Sequence, residues 1–137
     1  MTIYLSSGMS KFGKERLEEG DKWRKDIVEK IMAFYEGEID FFNPNKYFSF
    51  ADENVSEKEA MDYDLYRLHR SDLLIYNATD PNSMGSIAEI AIAYERNIPI
   101  LVLNEKNENL HPWIVNMAYK SFNDMDALVD YISYYFL

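Results

Sequence analysis

A 137-residue chain with 47% hydrophobic residues can bury a core of its own, and its length is typical of one domain, which we take as residues 1–137. Without cysteine it forms no disulfide, and its two histidines build no cluster with zinc-ligand spacing, so we expect neither a metal nor a cofactor. The net charge of −10 argues against binding to polymeric nucleic acid. No apolar run reaches transmembrane length and no secretory or transit peptide is expected, which predicts a cytoplasmic protein without a membrane partner.

Strands and helices alternate through the first half of the chain. The apolar pattern predicts strands at 2–6 and 39–42 and helices at 23–35 and 56–70. The second helix begins with Ser56-x-x-Glu59, which is a capping-box signal. The polar, aromatic loop at 47–55 is long for a compact domain, and loops of that length are often functional.

The same alternation continues in the second half. It predicts strands at 72–77, 98–103 and 119–122 and helices at 84–96, 110–117 and 124–136. The run at 98–103 is continuously apolar, which is typical of a parallel strand covered on both faces. We therefore predict an α/β fold with a doubly wound, five-stranded parallel sheet of order 2-1-3-4-5 and helices on both faces. In that order the loops at 6–14 and 78–85 meet at a crevice between strands 1 and 3, where such folds bind ligands.

Glu89 lies near the start of the helix at 84–96, beside this crevice. One interpretation is structural, because Ser86-x-x-Glu89 is itself a capping box and acids are favoured at helix N termini. The other is functional. This helix is apolar nearly all round, so a carboxylate that faces the crevice would be partly desolvated, which suits a nucleophile or a base.

A second carboxyl group would strengthen the functional interpretation of Glu89. Asp64, in the helix before strand 3, is by itself most simply a solvated acid, with Asp62 as a nearby competitor. Cleavage of a glycosidic bond generally uses two carboxyl groups, one as nucleophile and one to protonate the leaving group. Tyr4 in strand 1 is either a core tyrosine or a donor to the catalytic carboxylate across the crevice.

The two crevice loops supply hydroxyl groups, glycines and one lysine. The predicted substrate-binding residues are Ser6, Ser7, Gly8, Met9, Ser83, Gly85 and Ser86. Ser83 is either an ordinary N-cap or part of an anion site built with helix amides. Ser10 and Lys11 are candidates for phosphate binding, although a lysine there is more simply solvated and the Walker signature is absent.

Taken together, these segments resemble the nucleoside 2-deoxyribosyltransferase superfamily, which includes the 2′-deoxynucleoside 5′-phosphate N-hydrolases and the CMP hydrolases. The resemblance covers nearly the whole chain, in the segments Ile3–Met9, Trp23-Arg24, Asn43-Pro44, Asp64–Leu68, Ser71–Ile75, Ser83–Glu89, Ala93 and Ile98–Leu103. It implies that Glu89 attacks the anomeric carbon to form a covalent deoxyribosyl ester. It also implies that Asp64 contacts the base and assists its departure, and that Tyr4 orients Glu89.

The resemblance leaves the 5′ substituent and the acceptor open. Many nucleoside-specific transferases carry an acid six residues before the nucleophile, where this chain has Ser83. A serine there resembles the monophosphate hydrolases, in which it helps to bind the 5′-phosphate, but those usually have an arginine in the first loop, where this chain offers Ser10 and Lys11. The family also completes its site from a neighbouring subunit, which implies a homodimer or higher homo-oligomer in which His111 or Asn116 reaches across the interface.

Three functions follow as hypotheses. The first is an enzyme that cleaves the N-glycosidic bond of a small (deoxy)nucleoside or its 5′-monophosphate through a glycosyl-Glu89 intermediate, by transfer to a second base or by hydrolysis. The second is a catalytically inactive nucleotide-binding sensor, suggested by the substituted first-loop positions. The third is an interaction protein that uses the aromatic carboxyl-terminal segment 130–137.

Overall fold

The computed structural model describes residues 1–8, 17–47 and 55–137, with only the backbone described at 17–19, 46 and 47. In chain order the elements are β1 (Thr2–Ser7), α1 (Leu17–Met32), β2 (Asp40–Phe42), α2 (Pro44–Tyr47), α3 (Glu57–His69), β3 (Leu73–Asn77), α4 (Met84–Glu95), β4 (Ile100–Leu103), α5 (Pro112–Met117), β5 (Lys120–Phe122) and α6 (Met125–Tyr135).

The described strands form one sheet of five parallel strands in the order β2-β1-β3-β4-β5. The predicted fold class and strand order are confirmed. The chain places β2 on one side of β1 and later places β3 on the other, with Leu5 opposite Ile75. The switch in direction lies between β1 and β3, so their carboxyl ends border a crevice.

Helices pack on both faces of the sheet because the strands are apolar on both faces. On one face the buried core joins α1 and α6 to the sheet, through Ile3, Leu5, Trp23, Ile27, Ile31, Leu73, Ile75, Leu101, Leu103, Met125, Leu128, Val129 and Ile132. On the other face it joins α3, α4 and α5 to the sheet, through Tyr4, Phe42, Leu68, Leu74, Tyr76, Ala78, Ile90, Ala93, Ile98, Ile100, Val102 and Ile114. The second of these faces carries the candidate carboxyl groups.

Local capping signals fix where two helices begin. Ser56 Oγ accepts a hydrogen bond from the Glu59 amide at 3.1 Å, and the Glu59 carboxylate accepts one from the Ser56 amide at 3.3 Å. This is the predicted capping box, and it satisfies two backbone donors at the start of α3. His111 Nδ1 accepts from the Trp113 amide at 3.1 Å and so caps α5.

The structure differs from the sequence prediction mainly at element ends and in the burial of α4. α1 begins at Leu17, six residues before the predicted start. The sequence prediction missed these residues because the first turns of the helix are polar and carry no apolar repeat. In α4 only the stripe Ser86, Ile90 and Ala93 is buried, and Met84 and Tyr94 are more than half exposed. The helix rests on the sheet along this stripe, Ile87 and Ile92 are partly buried beside it, and the predicted burial on nearly all sides is wrong. Most of the loop predicted at 47–55 lies outside those residues.

Candidate active site

The alternation of β1 sends its polar side chains to opposite faces of the sheet. Tyr4 and Ser6 face the layer of α3 and α4, and both are fully buried. Ser7 faces α1, where its Oγ accepts a hydrogen bond from Trp23 Nε1 at 3.3 Å. Of the two neighbouring serines predicted to bind substrate, only Ser6 therefore directs its hydroxyl toward the face that carries Glu89.

Glu89 belongs to the second turn of α4, not to a cap. The helix begins at Met84 with Ser83 as N-cap, so Ser86 is the third helical residue and cannot cap the helix. The Ser86–Glu89 capping box considered above is wrong for that reason. The Ser83 side chain makes no capping hydrogen bond either, so its hydroxyl is not engaged by the first turn of the helix.

In the described part of the chain, five buried side-chain oxygens have no hydrogen-bond partner, and all five belong to predicted site residues. They are Tyr4 Oη, Ser6 Oγ, Asp64 Oδ1, Ser86 Oγ and Glu89 Oε2. Buried polar atoms are nearly always hydrogen-bonded, and leaving one unpaired costs about 1–3 kcal/mol. We call this set the unpartnered oxygens. Its concentration on β1, α3 and α4 is the pattern expected of a site that takes up a polar ligand.

Burial controls the charge of both carboxyl groups. Burial raises the pKa of Glu89 to about 7, the Tyr4 hydroxyl and the Arg24 charge oppose this rise, and the charge of Asp64 adds to it. Burial likewise raises the pKa of Asp64 to about 7, with Arg24 opposing. Near neutral pH the pair therefore holds an acid and a base at once, which is what general acid catalysis beside a nucleophile requires.

Tyr4 interacts electrostatically with both carboxyl groups. Burial, with the charges of Glu89 and Asp64, raises the pKa of the Tyr4 hydroxyl well above its usual range, so the phenol stays protonated. Its hydroxyl interacts with the Glu89 carboxyl, but the two do not meet the geometry of a well-formed hydrogen bond. Tyr4 can therefore act as a donor to Glu89 when the carboxylate moves toward it.

Arg24 of α1 is a residue of the site that the sequence prediction did not assign. Its guanidinium is 2% exposed, donates from Nε to Leu5 O at 3.0 Å, and pairs with Asp21 at 3.1 Å. Asp21 in turn accepts from Asn43 Nδ2 at 2.9 Å. A buried arginine behind β1 supplies positive charge near two carboxyl groups, and its signal in the sequence is Asp21 placed three residues before it on α1.

Gly8 brings the first crevice loop into contact with the second. A Cβ atom added to Gly8 would lie 2.7 Å from Ser83 Cβ and 2.8 Å from Asp80 Cβ, which is too close for any side chain. The loops after β1 and β3 therefore meet as predicted, with Gly8 against Asp80 and Ser83. Gly85, by contrast, has open space around its Cα.

A scan against protein-family models and a search of curated proteins find no match for this chain. Among solved structures, a conserved protein from Enterococcus faecalis V583 superposes with a TM-score of 0.76 at 18% identity, covering 98% of each chain. A 2-deoxyribosyltransferase from Bacillus psychrosaccharolyticus has a TM-score of 0.75 at 16% identity, covering 96% of this chain and 92% of its own. A CMP N-glycosidase from Clostridium botulinum has a TM-score of 0.61 at 16% identity, covering 98% of this chain and 99% of its own.

This chain shares the fold of the 2-deoxyribosyltransferase and of the CMP N-glycosidase. The similarity spans nearly its whole length, so the fold expected from the resemblance is confirmed. At 16–18% identity the similarity concerns the fold, and the chemistry depends on the side chains that this chain itself carries.

Several of the residues considered above lie elsewhere on the fold or outside the described residues. Asp62, the competitor of Asp64, is exposed and forms an ion pair with Lys58. Asn116 borders a cavity of about 290 Å³ at the amino-terminal end of β4, and its Nδ2 donates to Pro112 O at 2.7 Å. His111 and Asn116 are both exposed on the chain as it stands. Met9, Ser10 and Lys11 lie outside the described residues.

The described residues were also compared with the requirements of a metal site and of a membrane-spanning helix. They contain no group of three or more histidine or acidic side chains arranged to hold a metal ion. None of their helices combines the length and the apolar character that crossing a membrane requires.

Proposed function

We propose that this protein is an enzyme that cleaves the N-glycosidic bond of a (deoxy)nucleoside or its 5′-monophosphate through a covalent glycosyl ester on Glu89. The observation that carries the proposal is the set of unpartnered oxygens, which includes one oxygen of each of two carboxyl groups at the β1–β3 crevice. A sugar can satisfy these atoms, because its hydroxyl groups donate and accept hydrogen bonds and its anomeric carbon develops positive charge as the base leaves.

In the first step, the Glu89 carboxylate attacks the anomeric carbon from the face opposite the base. The bond between this carbon and the base nitrogen breaks, its electron pair goes to the base, and the Asp64 proton neutralises the leaving nitrogen. Tyr4 donates to Glu89 and orients it. In the second step an acceptor attacks the same carbon and the ester bond to Glu89 breaks, while Asp64 takes the proton of the acceptor.

Ser6 and Ser86 are the hydroxyl groups best suited to hold the sugar, because both are buried and unpartnered on the side of Glu89. Ser83 and Gly85 lie at the start of α4, where backbone amides are available to an acceptor atom of the substrate. Ser7 and Gly8 contribute through the shape of the loop, since the Ser7 hydroxyl is turned to Trp23 and Gly8 is packed against Ser83.

The proposal includes transfer and hydrolysis, which differ only in the acceptor. Similar folds occur in a deoxyribosyltransferase and in an N-glycosidase, so both outcomes are compatible with this scaffold. The inactive sensor remains the second candidate. The raised pKa values of both carboxyl groups favour the enzyme, because a binding module does not need a protonated and an ionised acid side by side.

Purified protein incubated with deoxynucleosides, ribonucleosides and their 5′-monophosphates, with and without a free base, tests the proposal by chromatography of the released base. We expect release that Glu89→Gln abolishes. Glu95→Gln is the matched control, because Glu95 is an exposed glutamate at the other end of α4 and should leave the rate unchanged. Exchange of bases indicates a transferase, and release without exchange indicates a hydrolase. Equal inactivity of the wild type and Glu89→Gln on every substrate, with binding retained, would establish the sensor instead.

A homo-oligomer is part of the same proposal. Large apolar side chains are exposed on α4 and α5: Met84 at 83%, Trp113 at 72% and Val115 at 56%. A second copy of the chain that covered such exposed side chains would bury apolar surface and bring α5, with His111 and Asn116, toward a neighbouring site. Small nucleosides or nucleotides are the proposed substrates, without a polymeric nucleic acid partner.

A further inference from the structure

β1 extends beyond the end of β2, its neighbour on one side. The last residue of β2, Phe42, lies opposite Tyr4, whereas β1 continues to Ser7 along β3 on its other side. Residues 5–7 of β1 therefore have no strand beside them on the β2 side among the described residues. We call the space beside these residues the strand gap. It lies at the carboxyl end of the sheet, where the candidate site is.

The guanidinium of Arg24 occupies the strand gap. Carbonyl groups of β1 point alternately to its two neighbours: Met1 O accepts from the first residue of β2 at 2.9 Å, and Thr2 O accepts from the residue before β3 at 2.8 Å. Leu5 O has the parity of Met1 O, so it points into the strand gap. It accepts a hydrogen bond there from Arg24 Nε at 3.0 Å. The arginine thus gives a buried carbonyl group the donor that a longer β2 would have supplied.

Side chains of α1 and of the segment after β2 hold Arg24 in this place. Asp21 Oδ1 pairs with Arg24 Nη1 at 3.1 Å, and Asn43, which directly follows β2, donates from Nδ2 to both Asp21 oxygens at 2.9 and 3.0 Å. Trp23 Nε1 donates to Ser7 Oγ at 3.3 Å. Two neighbouring residues of α1 therefore fix the end of β1 at two points.

The stretch of β1 that Arg24 holds carries two residues of the candidate site. Tyr4 and Ser6 flank Leu5, are fully buried on the face of Glu89, and each contributes one of the unpartnered oxygens. A hydrogen bond that fixes the backbone at Leu5 therefore also fixes the direction of both side chains. The guanidinium also acts on the carboxylate itself, because its positive charge favours the ionised form of Glu89 and opposes the rise in pKa caused by burial.

Arg24 is the cation that acts on Glu89 in the described residues. The other groups that act on it are Tyr4 of β1 and Asp64 of α3, and neither brings a positive charge. β4 and α5 contain no ionisable side chain. The remaining ionisable side chains buried or partly buried in this layer are directed elsewhere: Tyr76 Oη donates to Asp80 O, and Arg67 pairs with Asp40 and donates to Tyr63 Oη.

We propose that Arg24 is a positioning residue for the nucleophile: it takes the place of a longer β2, fixes the part of β1 that carries Tyr4 and Ser6, and holds a positive charge beside Glu89. This inference rests on the proposed function, which makes Glu89 the nucleophile. Arg24 touches no reacting atom and acts through the position of β1 and through its charge. Substitution separates the two actions, because lysine keeps the charge without the planar fork of donors, and glutamine keeps a donor without the charge.

NMR titration of the Glu89 carboxyl carbon tests the charge without turnover, with the signal assigned by its absence from Glu89→Gln. Asp21→Asn combined with Arg24→Gln turns the buried ion pair into two neutral amides, so neither charge is left without its partner. We expect the pKa of Glu89, about 7 in the wild type, to rise by roughly 1 in this double variant, as expected when a neighbouring opposite charge is removed. Arg24→Gln alone, a second neutral variant, should also raise it, and Arg24→Lys should leave it in place.

The pH dependence of base release tests the position. The acidic limb of kcat/KM should move to higher pH in the double variant. Arg24→Lys should keep the limb in place but lower kcat by about tenfold, since an ammonium group cannot hold Leu5 O and Asp21 in the geometry of the guanidinium. Lys22→Gln is the control, because Lys22 is an exposed cation two residues earlier on α1 and should change neither the limb nor kcat.

The outcomes separate this inference from the proposed function. A Glu89 titration that is unchanged in both neutral variants, or that Arg24→Lys raises equally, would overturn the role of the charge. An Arg24→Lys protein with the full kcat would overturn the role of the hydrogen bond to Leu5. A wild type without any base release, in which the Glu89 titration still follows the charge at position 24, would overturn catalysis and support the electrostatic role of Arg24.

Discussion

Glu89 and Asp64 are costly side chains to bury, and the proposed reaction gives that cost a chemical use. Each is a carboxyl group with a buried, unpartnered oxygen, and burial raises the pKa of each to about 7. The charge of Asp64 adds to the rise in the pKa of Glu89, so ionisation of Asp64 disfavours ionisation of Glu89. Near neutral pH the proposed reaction can therefore use one of the two groups as nucleophile and the other as acid. Arg24 and Tyr4 moderate this balance on the side of β1.

The pair predicts a bell-shaped dependence of kcat/KM on pH, with a maximum near neutrality. Asp64→Asn removes a negative charge that raises the pKa of Glu89. We therefore expect the acidic limb of the profile to move to lower pH and the alkaline limb to disappear, with a lower maximal rate. Base release measured from pH 5 to 9 checks this, with Asp62→Asn as the control for an exposed acid on the same helix. An acidic limb that stays in place would mean that the two groups do not interact.

As the pH rises toward 7, we expect the stability of the fold to fall while activity rises. Since the folded-state pKa of Glu89 is about 7 and its ordinary value is 4.5, the folded protein binds more protons than the unfolded chain between these values. The free energy of unfolding therefore falls as the pH rises through this range. We expect Glu89→Gln to stabilise the protein by about 3 kcal/mol at pH 8 and by less than about 1 kcal/mol at pH 5. Thermal unfolding at both pH values, beside Glu95→Gln, measures the difference, and an equal gain at both would contradict it.

At the scale of elements, α3 and α4 begin in different ways. α3 has a complete capping box at Ser56, whereas the N-cap Ser83 of α4 makes no side-chain bond to its helix. A helix that leaves its N-cap hydroxyl unused can offer that hydroxyl and its first amides to a ligand. We therefore expect Ser56 to act in stability and propose that Ser83 acts in substrate binding.

This difference predicts opposite effects of two matched substitutions. Ser56→Ala should lower the free energy of unfolding by about 1 kcal/mol and leave substrate affinity unchanged. Ser83→Ala should cost little stability but raise KM by about tenfold, through a lost hydrogen bond to substrate. Chemical denaturation and steady-state kinetics on both variants provide the comparison. A loss of stability in Ser83→Ala as large as in Ser56→Ala would show that Ser83 caps α4 after all.

The strands and helices could be predicted from the sequence because their apolar repeats are long and regular. Runs such as 98–103 are apolar on both faces, and that pattern alone predicts a covered parallel sheet. The orientation of Ser7 could also have been predicted, since it shares the parity of Ile3 and Leu5 along β1. The capping-box interpretation of Glu89 was wrong because the sequence allows either Ser83 or Ser86 as N-cap, and the helix begins after Ser83.

Other parts of the site have no periodic signal. Asp80 lies in a turn, where the spacing of residues does not determine which side chain faces the opposite loop. Arg24 is a charged residue on an amphipathic helix, and only the packing of α1 on β1 buries it. The pairing of Asp64 with Glu89 rests on the two-carboxyl chemistry of glycosidic cleavage and on the family resemblance. Periodicity could not supply it, because two elements that are far apart in the chain become neighbours only through the sheet order.

On the scale of the whole molecule, the exposed apolar side chains of α4 and α5 have consequences for assembly and for the site. A monomer that exposes Met84, Trp113 and Val115 would gain from covering them with a second copy, at roughly 25 cal/mol for each Å² removed from water. Trp113→Glu should therefore produce a monomer, which light scattering after size-exclusion chromatography detects. Tyr134→Glu is the control, because Tyr134 is at least as exposed as Trp113 but lies on α6. Dissociation by both variants, or by neither, would contradict an interface formed by α4 and α5.

If that interface also completes the site, two inactive variants should restore activity together. Glu89→Gln removes the nucleophile of its own subunit, and Asn116→Ala removes the group that its subunit offers to a neighbour. In a mixed dimer one of the two sites has both residues intact, so an equimolar mixture after subunit exchange should recover about a quarter of the wild-type activity of a two-fold symmetric dimer. His111 is less suitable for this purpose because its Nδ1 caps α5. A mixture that exchanges subunits but recovers no base release, or an Asn116→Ala variant that is fully active alone, would show that each chain carries a complete site.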